Sequence, residues 1–318
     1  MDNDIDFARA AAPAQSRRRL EICIPVFRQD PSNLIADLSR QIGARDVALR
    51  IYDDGSGDPV LTQRIREALA SFPGPTTLMC VAENRGRAAA RNGLITASDG
   101  EWLLFLDADM RVEGRNFLNA YLEAAARQNG PCCIVGGFGV DLRMVTSATK
   151  LHAMQSHKSE CLGAARRNAD PGRYVFTSNI FLHRQICKEM PFNDQFRGWG
   201  WEDVEWGLNI VSRFPVIHID NAATHLGLDE DKALLVKYEH SELNFLLMLQ
   251  AHPDSVARMP VYRIARQLSH LPLRRALIWS CRQTVVSGRS ILPVSLRLFA
   301  LKVFRAAIYA QALHAQKH

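Results

Sequence analysis

The chain has 318 residues, of which 47% are hydrophobic and 23% charged, and this is enough to bury one large core or two smaller ones. Its seven cysteines are scattered without a Cys-x-x-Cys pair, which argues against a disulfide-rich secreted protein and for reduced thiols in the cytoplasm. The net charge of +6 is concentrated in residues 255–318, which hold eleven Lys or Arg and no Asp or Glu, so we expect an anionic partner there, lipid head groups before nucleic acid.

The first 140 residues predict a mostly parallel sheet flanked by helices. Residues 1–19 mix acidic, alanine-rich and basic stretches without the apolar run of a signal peptide, and we predict a disordered tail. From residue 20 onward, strand-like and helix-like segments alternate, as they do in a doubly wound α/β layer. The predicted strands are 20–26, 47–52, 76–81, 101–106 and 132–135, and the predicted helices are 31–41, 59–71, 87–97 and 115–128.

Beyond residue 141 the alternation weakens. The segment 144–170 is compatible with helix but has no clear period, and it is a candidate for a mobile loop over a site. We predict a strand at 173–182, a helix at 202–212 and a short strand at 216–219. The domain organisation that follows is an α/β domain over 20–226 and a helical, basic region over 227–318.

One apolar stretch, 291–313, is a candidate membrane segment. Arg297, Lys302 and Arg305 interrupt it, which argues against a spanning helix. At about 100° per residue the three cations share one arc of a helix, and apolar residues share the other. The apolar residues of that arc are Leu296, Phe299, Ala300, Val303 and Ala307. This predicts an amphipathic helix, which either lies in a membrane interface or packs on the body of the protein.

Polar residues follow the second and third predicted strands. Asp53 and Asp54 lie at the end of the second strand, where a carboxylate can accept hydrogen bonds from a base or a ribose, and Gly55 permits a tight exit. Asn84-Arg85-Gly86 follows the third strand and opens a helix that carries Arg91, so backbone amides and guanidinium groups can approach a phosphate. Both signals are also compatible with ordinary acidic turns and solvated helix starts.

The fourth strand ends in Asp107-Ala108-Asp109. In open α/β sheets, ligands bind outside the carboxyl ends of the strands. The two carboxylates lie on the same side of an extended segment, so one can ligate Mg²⁺ or Mn²⁺ while the other reaches the ribose or a metal-bound water. A metal held there would bridge a diphosphate and offset the charge of a departing nucleotide. We therefore predict Asp107 as a nucleotide and metal contact and Asp109 as a metal ligand.

The string Gly198-Trp199-Gly200-Trp201-Glu202-Asp203 is the rarest motif in the chain. Glu202 and Asp203 begin a predicted helix, where the helix dipole favours ionised carboxylates. Either tryptophan can stack on a sugar, and the glycines allow close backbone approach. We therefore predict that Asp203, with Glu202, is catalytic and that Trp199 and Trp201 bind the donor. Tryptophans in a core and acids at a helix start would explain each residue, but not their coincidence.

Two further polar positions follow strands. His225 comes after a short strand and is a candidate third metal ligand through its imidazole. Ser178-Asn179 closes another strand, and Asn179 is a candidate contact to a donor or acceptor sugar. A single histidine or asparagine more often serves the structure.

With these motifs together, the chain resembles family 2 glycosyltransferases of the GT-A fold over roughly residues 20–226. The resemblance is carried by Ile24-Pro25-Val26, Asp53-Asp54-Gly55-Ser56, Asn84-Arg85-Gly86 with Ala90-Arg91-Asn92, and Asp107-Ala108-Asp109. The later string is similar to the Gly-Trp-Gly-Gly-Glu-Asp motif of chondroitin-type polymerases and β-1,4-galactosyltransferases, although Trp201 replaces the second glycine.

The resemblance implies specific roles for these positions. It places Pro25, Asn84 and Arg85 at the nucleotide, Asp53 or Asp54 at the base, Asp109 and His225 at a Mn²⁺ or Mg²⁺ ion, and Asp203 in the role of the base. It also implies a UDP-sugar as the donor.

We therefore hypothesise an inverting, metal-dependent glycosyltransferase of the hexosyl type. It moves a sugar from a nucleoside diphosphate to a hydroxyl of a glycan or lipid-linked acceptor in cell-surface polysaccharide synthesis, and it is cytoplasmic or peripheral on the cytoplasmic face of the membrane.

A sugar-phosphate nucleotidylyltransferase is the nearest alternative, and it would release pyrophosphate. A non-catalytic, membrane-binding scaffold on a decayed transferase fold is the alternative from another class. A nucleotide-binding oxidoreductase is disfavoured because no Gly-x-Gly-x-x-Gly follows the first strand. No recognised module accompanies the basic stretch, so no nucleic-acid partner is expected.

Overall fold

The computed structural model describes residues 6–9, 20–43, 45–287 and 291–316. The described residues form two compact units. The first unit comprises those of Met1–Val140, Cys161–Arg197 and Trp206–Gly227, and the second unit those of Asp141–Glu160, Gly198–Glu205 and Leu228–His318. This division differs from the predicted boundary after residue 226, because two earlier segments pack with the C-terminal helices.

The first unit contains an eight-stranded sheet and a three-stranded sheet. The strands, in chain order, are β1 (Asp6–Arg9), β2 (Leu20–Val26), β3 (Val47–Asp53), β4 (Thr76–Cys80), β5 (Trp102–Leu106), β6 (Met110–Arg111), β7 (Cys133–Val135), β8 (Phe138–Val140), β9 (Asn179–His183), β10 (Val216–His218) and β11 (Ala223–His225). The large sheet has the order β1-β4-β3-β2-β5-β9-β7-β10. Its central strands β4, β3, β2 and β5 are parallel, as predicted, and β9 runs antiparallel to both neighbours.

Helices surround this sheet and make up most of the second unit. In chain order they are α1 (Ser32–Ile42), α2 (Pro59–Ala70), α3 (Arg87–Ala97), α4 (Phe117–Ala126), α5 (Lys150–Ser159), α6 (Ala164–Arg167), α7 (Arg184–Glu189), α8 (Glu202–Val211), α9 (Asp231–His240), α10 (Glu242–Ala251), α11 (Pro253–Arg258), α12 (Pro260–Leu268), α13 (Arg274–Val286) and α14 (Val294–Ala315). Short 3-10 helices lie at Leu142–Met144 and Pro171–Tyr174.

The core of the first unit lies on both faces of the large sheet. In β5, Leu104 and Leu106 pack into one apolar cluster, and Leu103 and Phe105 pack into the other. A parallel sheet covered by helices on both faces requires such a continuous apolar run, in contrast to the alternating pattern of a half-exposed strand. This double burial explains why the strands are readable from the sequence.

Helix starts in the first unit follow the expected chemistry. The Asp58 carboxylate accepts hydrogen bonds from the backbone nitrogens of Val60 and Leu61 at 2.9 and 3.2 Å, and Pro59 occupies the first turn of α2. Because the first amides of a helix have no partner within it, such a cap stabilises the helix start.

Two elements differ from the sequence predictions. Asp6–Arg9 form β1, antiparallel to β4, within the segment predicted to be a disordered tail. Backbone groups of β4, which would otherwise form a sheet edge, find partners there. The remainder of that predicted tail, 1–5 and 10–19, lies outside the described residues. The predicted strand at 173–182 is shorter, since Pro171–Tyr174 is a 3-10 helix and the strand begins at Asn179.

The second unit is helical and is built around α14, whose orientation differs from the prediction. Arg297 is buried and pairs with Asp231, and its Nε donates to the carbonyl of Val285 at 3.1 Å. Of the predicted apolar arc, Leu296 and Phe299 are exposed, whereas Ala300 and Ala307 are buried. The Asp231 carboxylate and the Val285 carbonyl therefore decide that the Arg297 side of α14 faces inward, because a buried cation needs such partners. Within the described residues, no helix is both long enough and apolar enough to cross a bilayer.

Candidate active site

The carboxyl ends of β3 and β4 carry a network of backbone and side-chain contacts. The Asp54 carboxylate accepts hydrogen bonds from the backbone nitrogens of Arg85 and Gly86 at 2.9 and 2.8 Å. Asn84 Nδ2 donates to the carbonyl of Asp54 at 3.1 Å. Burial raises the pKa of Asp54, and the two backbone hydrogen bonds oppose that shift only in part. Asp54 thus fixes the loop at residues 84–86 to the end of β3.

Gly55 is required at this junction. Its φ is +75°, and a Cβ atom built on it would lie 2.5 Å from the backbone nitrogen of Asn84. The neighbouring Asp53 is also buried, and its Oδ1 accepts a hydrogen bond from the backbone nitrogen of Ser56 at 3.0 Å. Glycine therefore allows the turns after β3 and β4 to touch, as the sequence predicted for this turn.

Arg91 and Asp107 form the next part of the site. Arg91 is buried on α3, and its Nη2 donates to Asp107 Oδ1 at 2.9 Å. Asp107 follows β5, and its backbone nitrogen donates to the carbonyl of Ser178 at 3.2 Å. The sequence placed both residues at the nucleotide, and the structure brings them together. This charge-assisted hydrogen bond fixes the orientation of the Asp107 carboxylate.

Asp109 and His225 lie side by side because of the three-stranded sheet β6-β11-β8. Asp109 directly precedes β6, and His225 ends β11 opposite Met110 in an antiparallel register. His225 Nε2 lies 3.3 Å from Asp109 Oδ2, and Gln29 Nε2 donates to the same oxygen at 3.0 Å. Two residues that are 116 positions apart in the sequence are therefore neighbours, and the ion that the sequence predicted them to share stays a prediction.

The electrostatics of Asp109 favour its ionised form. Burial raises the pKa of this carboxyl group, but hydrogen bonds from His225 and Gln29 together with the charge of His225 outweigh burial, so the pKa lies below its usual value. Space matters as well, because a Cβ atom on Gly227 would lie 2.0 Å from Asp109 Oδ2 and 3.3 Å from His225 Nε2. Gly227 thus leaves room for the pair.

The Asp109 and His225 pair has donor atoms that suit Mn²⁺, since a carboxylate oxygen and an imidazole nitrogen are ligands it accepts. The described residues contain no group of three or more His, Cys, Asp or Glu arranged to hold a metal ion. Asp107, predicted as a further ligand, is engaged by Arg91. Asp109 and His225 are therefore the two residues of this edge that would hold such an ion.

The Gly198–Trp201 loop, in the second unit, has an unusual backbone. Gly198 and Gly200 have φ values of +78° and +93°, and Trp201 has a φ of +77°. Positive φ is rare for a bulky residue and costs free energy, so surrounding contacts must hold it. One such contact runs from Asn244 Nδ2 to the carbonyl of Gly200 at 2.9 Å.

The Tyr309 hydroxyl group is the centre of the contacts that hold Trp201. Trp201 Nε1 and Arg305 Nε both donate to it, at 2.8 and 3.0 Å. Ser241 Oγ, 2.9 Å away, donates its own hydrogen to the carbonyl of Tyr238 at 2.8 Å, so the Tyr309 hydroxyl donates to Ser241. One hydroxyl group thereby uses its single donor and both of its acceptor positions.

Aromatic and cationic groups complete this cluster. The guanidinium carbon of Arg305 lies 5.1 Å from the centroid of the Trp201 ring and 5.0 Å from that of Tyr238. Phe245 stacks on Tyr309, with centroids 4.1 Å apart. A cation over aromatic faces in a buried site is a strong, directional contact. We call this set, Trp201, Tyr238, Ser241, Phe245, Arg305 and Tyr309, the aromatic cluster.

The acidic residues of the motif follow directly from the aromatic cluster. The carbonyl of Trp201 accepts a hydrogen bond from the backbone nitrogen of Glu205 at 2.9 Å, which begins the hydrogen-bond ladder of α8. Glu202 is buried and Asp203 is half-buried in the first turn of this helix. The positive end of the helix dipole therefore acts on both carboxylates, as the sequence predicted.

Two predicted donor contacts are wrong. Asn179 is fully buried: its Oδ1 accepts from the Tyr121 hydroxyl group at 2.6 Å, and its Nδ2 donates to the carbonyls of Gly137 and Asn221. Trp201 is only 8% exposed and lies within the aromatic cluster. Neither side chain presents a surface to a sugar. Trp199 is half-buried, 5.5 Å from the Tyr238 ring, and Pro25 is half-buried in β2.

Several residues of these sites carried no signal in the sequence. Gln29 follows β2 at the ligand-binding edge but belongs to no motif, and Gly227 is recognisable only once His225 is placed beside Asp109. Tyr309 and Arg305 lie more than a hundred residues from Trp201. Only a contact formed by folding connects them.

Comparisons with known proteins agree with this architecture. The sequence profile of the family described as glycosyl transferase family 2 matches residues 21–190, more than half of the chain. No curated protein matches the sequence.

Among solved structures, the chain is similar to the mannosyltransferase PcManGT from Pyrobaculum calidifontis in complex with GDP-Man and Mn²⁺. The identity is 15% and the TM-score 0.54, over 93% of this chain and 88% of the other. It is also similar to TarS 1–349 from S. aureus in complex with UDP-GlcNAc, with 14% identity and a TM-score of 0.51, over 94% of this chain and 91% of the other. These likenesses establish the fold as GT-A, and together with the profile match they show that the chain belongs to glycosyl transferase family 2.

Proposed function

We propose that the protein is an inverting, metal-dependent hexosyltransferase that uses a nucleoside-diphosphate sugar, with UDP as the nucleotide. The observation that carries the proposal is the Asp109 and His225 pair, which lies beside the Arg91–Asp107 ion pair at the carboxyl end of β5. Family membership supports transfer of a glycosyl group. The acceptor is a hydroxyl group of a glycan or a lipid-linked sugar in the synthesis of cell-surface polysaccharide.

In the first unit, Asp109 and His225 hold Mn²⁺ or Mg²⁺ in this proposal, and Gln29 orients Asp109. The ion, when bound, offsets negative charge on the diphosphate. Arg91 orients Asp107 toward the nucleotide, and Asp53 contacts the base from the end of β3. Arg85 lies exposed on the loop that Asp54 fixes, where its guanidinium group can approach a phosphate.

In the second unit, Asp203 takes the proton from the acceptor hydroxyl group, which then attacks the anomeric carbon from the face opposite the nucleotide. Glu202, the adjacent carboxylate, assists in orienting the acceptor. Trp199 supplies an apolar face for a sugar. The aromatic cluster fixes the loop that presents these groups, and fixed geometry lowers the entropic cost of aligning the reacting atoms.

The cytoplasm is the proposed compartment. Among the described residues, none of the seven cysteines forms a disulfide bond, and the adjacent Cys132 and Cys133 are buried. Burial raises the pKa of Cys132 to about 11 and that of Cys133 well above its usual value, so these thiols stay protonated and unreactive. Free thiols in this number suit a reducing environment.

The experiment that tests the proposal measures thermal stability with Mn²⁺ and each of UDP, GDP, dTDP and CMP, and repeats each measurement with EDTA. We expect one diphosphate to raise the melting temperature, because a ligand that binds only the folded state stabilises it, and we expect EDTA to abolish that rise. A rise that persists in EDTA would contradict the metal site. If no nucleotide binds, also by direct titration, the non-catalytic scaffold replaces the transferase.

The nucleotidylyltransferase alternative is tested by the leaving group. With the sugar nucleotide that matches the stabilising diphosphate, we expect release of the nucleoside diphosphate. Release of pyrophosphate from a nucleoside triphosphate and a sugar phosphate would contradict the proposal and favour that alternative.

A further inference from the structure

A continuous stretch of the second unit, from α12 through the turn at residues 269–273 into α13, exposes both large apolar side chains and cations. We call it the basic-apolar face. Its members are Arg263, Ile264, Arg266, Leu271, Leu273, Arg275 and Trp279. Leu273 is 73% exposed and Trp279 65% exposed. Apolar side chains of this size, gathered on one chain segment, mark a surface that meets a partner.

The opposite side of the same helices is buried. Ala265 of α12 and Cys281 and Val285 of α13 are buried, and both helices pack against α14. The apolar side chains of the basic-apolar face are therefore additional to those that fold the unit.

The turn that presents Leu271 and Leu273 is held in place. Arg274 Nη1 donates to the carbonyl of Ser269 and to that of Leu271, both at 2.7 Å. These bonds satisfy two carbonyl groups of the turn that follows α12, beyond the hydrogen-bond ladder of the helix. The two leucines are thus presented outward on a fixed turn, so ordering them on a partner costs little conformational entropy.

The charge of the face is uniformly positive. The sequence from residue 255 to 318 contains no Asp or Glu. Two cations of this region are committed to the folded unit, since Arg297 pairs with Asp231 and Arg282 with Glu239. Arg263, Arg266 and Arg275 are exposed at the surface. The face therefore complements an anionic partner, as an isolated apolar patch would not.

A groove beside the face offers room for a head group. It has a volume of about 480 Å³ and is lined by Ala257, Tyr262, Arg263, Arg266, Gln267 and His270. Arg263 and Arg266 belong to both the groove and the face. Arg263 and Arg266 lie six and three residues before the turn that begins at residue 269, so the cations at the end of α12 directly precede the apolar anchors of that turn.

We propose that the basic-apolar face docks the protein on an anionic phospholipid surface. Leu271, Leu273 and Trp279 enter the boundary between head groups and acyl chains, and Arg263, Arg266 and Arg275 contact lipid phosphates. The combination of exposed aliphatic anchors with cations is typical of interfacial membrane segments. A nucleic acid would use the cations and the tryptophan, but it has no partner for the two leucines.

Sedimentation with vesicles tests the proposal. We expect binding to vesicles that contain phosphatidylglycerol and little binding to phosphatidylcholine, with weaker binding at high salt. The double variant Arg263→Gln/Arg266→Gln should lower the affinity about thirtyfold, at about 1 kcal/mol for each cation near the surface. Leu273→Ser/Trp279→Ser should reduce binding that survives high salt. The exposed Arg64 and Val60 of α2 provide the controls Arg64→Gln and Val60→Ser, which should bind as the wild type does.

A second measurement does not depend on loss of binding. Trp279 is the exposed one among the five tryptophans, so brominated lipid should quench its fluorescence, and Trp279→Phe should remove the quenching while the protein still sediments with vesicles. Equal binding to neutral and anionic vesicles, wild-type binding by both double variants, or quenching retained in Trp279→Phe would overturn the proposal. Binding to single-stranded DNA without binding to vesicles would also overturn it, in favour of a nucleic-acid partner.

Discussion

The first and second units build their polar sites in different ways. In the first unit, Asp54 follows β3, and Asp107 and Asp109 follow β5. These two strands are both parallel to β2 between them, so the sheet itself brings the three carboxylates to one edge. In the second unit, the Gly198–Trp201 loop has a strained backbone, and it is held by Tyr309, which lies 108 residues away along the chain.

The polar side chains of the two units are therefore placed by different features of the structure. Strand ends of a parallel sheet are placed by the register of hydrogen bonds, so substitution of one side chain there removes a ligand and leaves the frame intact. The acidic motif depends on side chains that hold a loop in an uncommon conformation. Substitutions far from Asp203 in sequence should therefore affect it.

The largest effect is expected for Asp203→Asn. If Asp203 is the general base, turnover should fall by about 10² to 10⁴, because proton transfer by a positioned group contributes that much. The measurement is release of nucleoside diphosphate in the presence of acceptor. Asp254→Asn, an exposed substitution in the same unit, should keep full activity. Wild-type turnover in Asp203→Asn would remove this residue from its role.

Gly227→Ala should test the role of the Asp109 and His225 pair with the rest of the first unit unchanged. The new Cβ would lie 2.0 Å from Asp109 Oδ2, so the carboxylate must move away from His225. We expect metal-dependent affinity for the nucleotide to fall at least about tenfold, as measured by calorimetric titration. Gly139→Ala in β8 meets no atom within 4 Å and should bind normally. An unchanged affinity in Gly227→Ala would show that the pair does not hold the ion.

Tyr309→Phe probes the second unit. It removes the hydroxyl group that three side chains share, and we expect the free energy of unfolding to fall by about 1–3 kcal/mol, because buried donors lose their acceptor. Turnover should fall while nucleotide affinity stays the same. Tyr262→Phe, which alters another half-buried tyrosine of this unit, is the control for both measurements. A loss of nucleotide affinity with unchanged turnover would contradict the assignment of the aromatic cluster to the acidic motif.

A smaller effect concerns pH and the first unit. His218 is buried, with Arg167 Nη1 2.9 Å from its Nδ1 and the carbonyl of Pro171 3.0 Å from its Nε2. Arginine can only donate, so Nδ1 accepts and Nε2 donates. Burial chiefly, helped by the charge of Arg167, lowers the pKa of His218 from 6.5 to about 4, against the hydrogen bond to Pro171.

The unfolded chain therefore binds a proton at His218 between pH 6.5 and 4 that the folded protein does not bind. Stability should rise with pH across this window and should be lost as the pH falls through it, by about 3 kcal/mol. Chemical denaturation at several pH values measures this dependence. His218→Gln should flatten it, whereas His157→Gln, at an exposed position, should not. An equal slope in His218→Gln and the wild type would refute this origin.

The sequence was most informative where structure is local and buried on both faces. The strand Leu20–Val26 and the helix Arg87–Ala97 have the predicted bounds. The strand coincides with a run of apolar residues, and Gly86 directly precedes the helix. Asp109 and His225 were both predicted as metal ligands, and their side chains lie close together, but the metal itself stays a prediction. Asn179 was misassigned because its position beside a strand does not reveal that its amide oxygen accepts a hydrogen bond from the buried Tyr121 hydroxyl group.

The second unit was harder to predict. The cations of α14 were expected to share a face apart from its apolar residues, but Arg297 and Arg305 find buried partners in Asp231 and the aromatic cluster. The periodicity of a helix shows which of its residues are polar. It does not show that one of them, Arg297, pairs with Asp231, which lies 66 residues away. The motif likewise predicted that the Trp201 ring stacks on a sugar, but the ring is part of the core of the second unit.

The most direct measurement is calorimetric titration of the stabilising nucleoside diphosphate, in Mn²⁺, into the wild type, Asp109→Asn and Asp203→Asn. We predict that Asp109→Asn loses the metal-dependent affinity and that Asp203→Asn keeps it, because the proposed function assigns nucleotide binding to the first unit and the base to the second. Loss of affinity in both variants, or in neither, would contradict this division of roles.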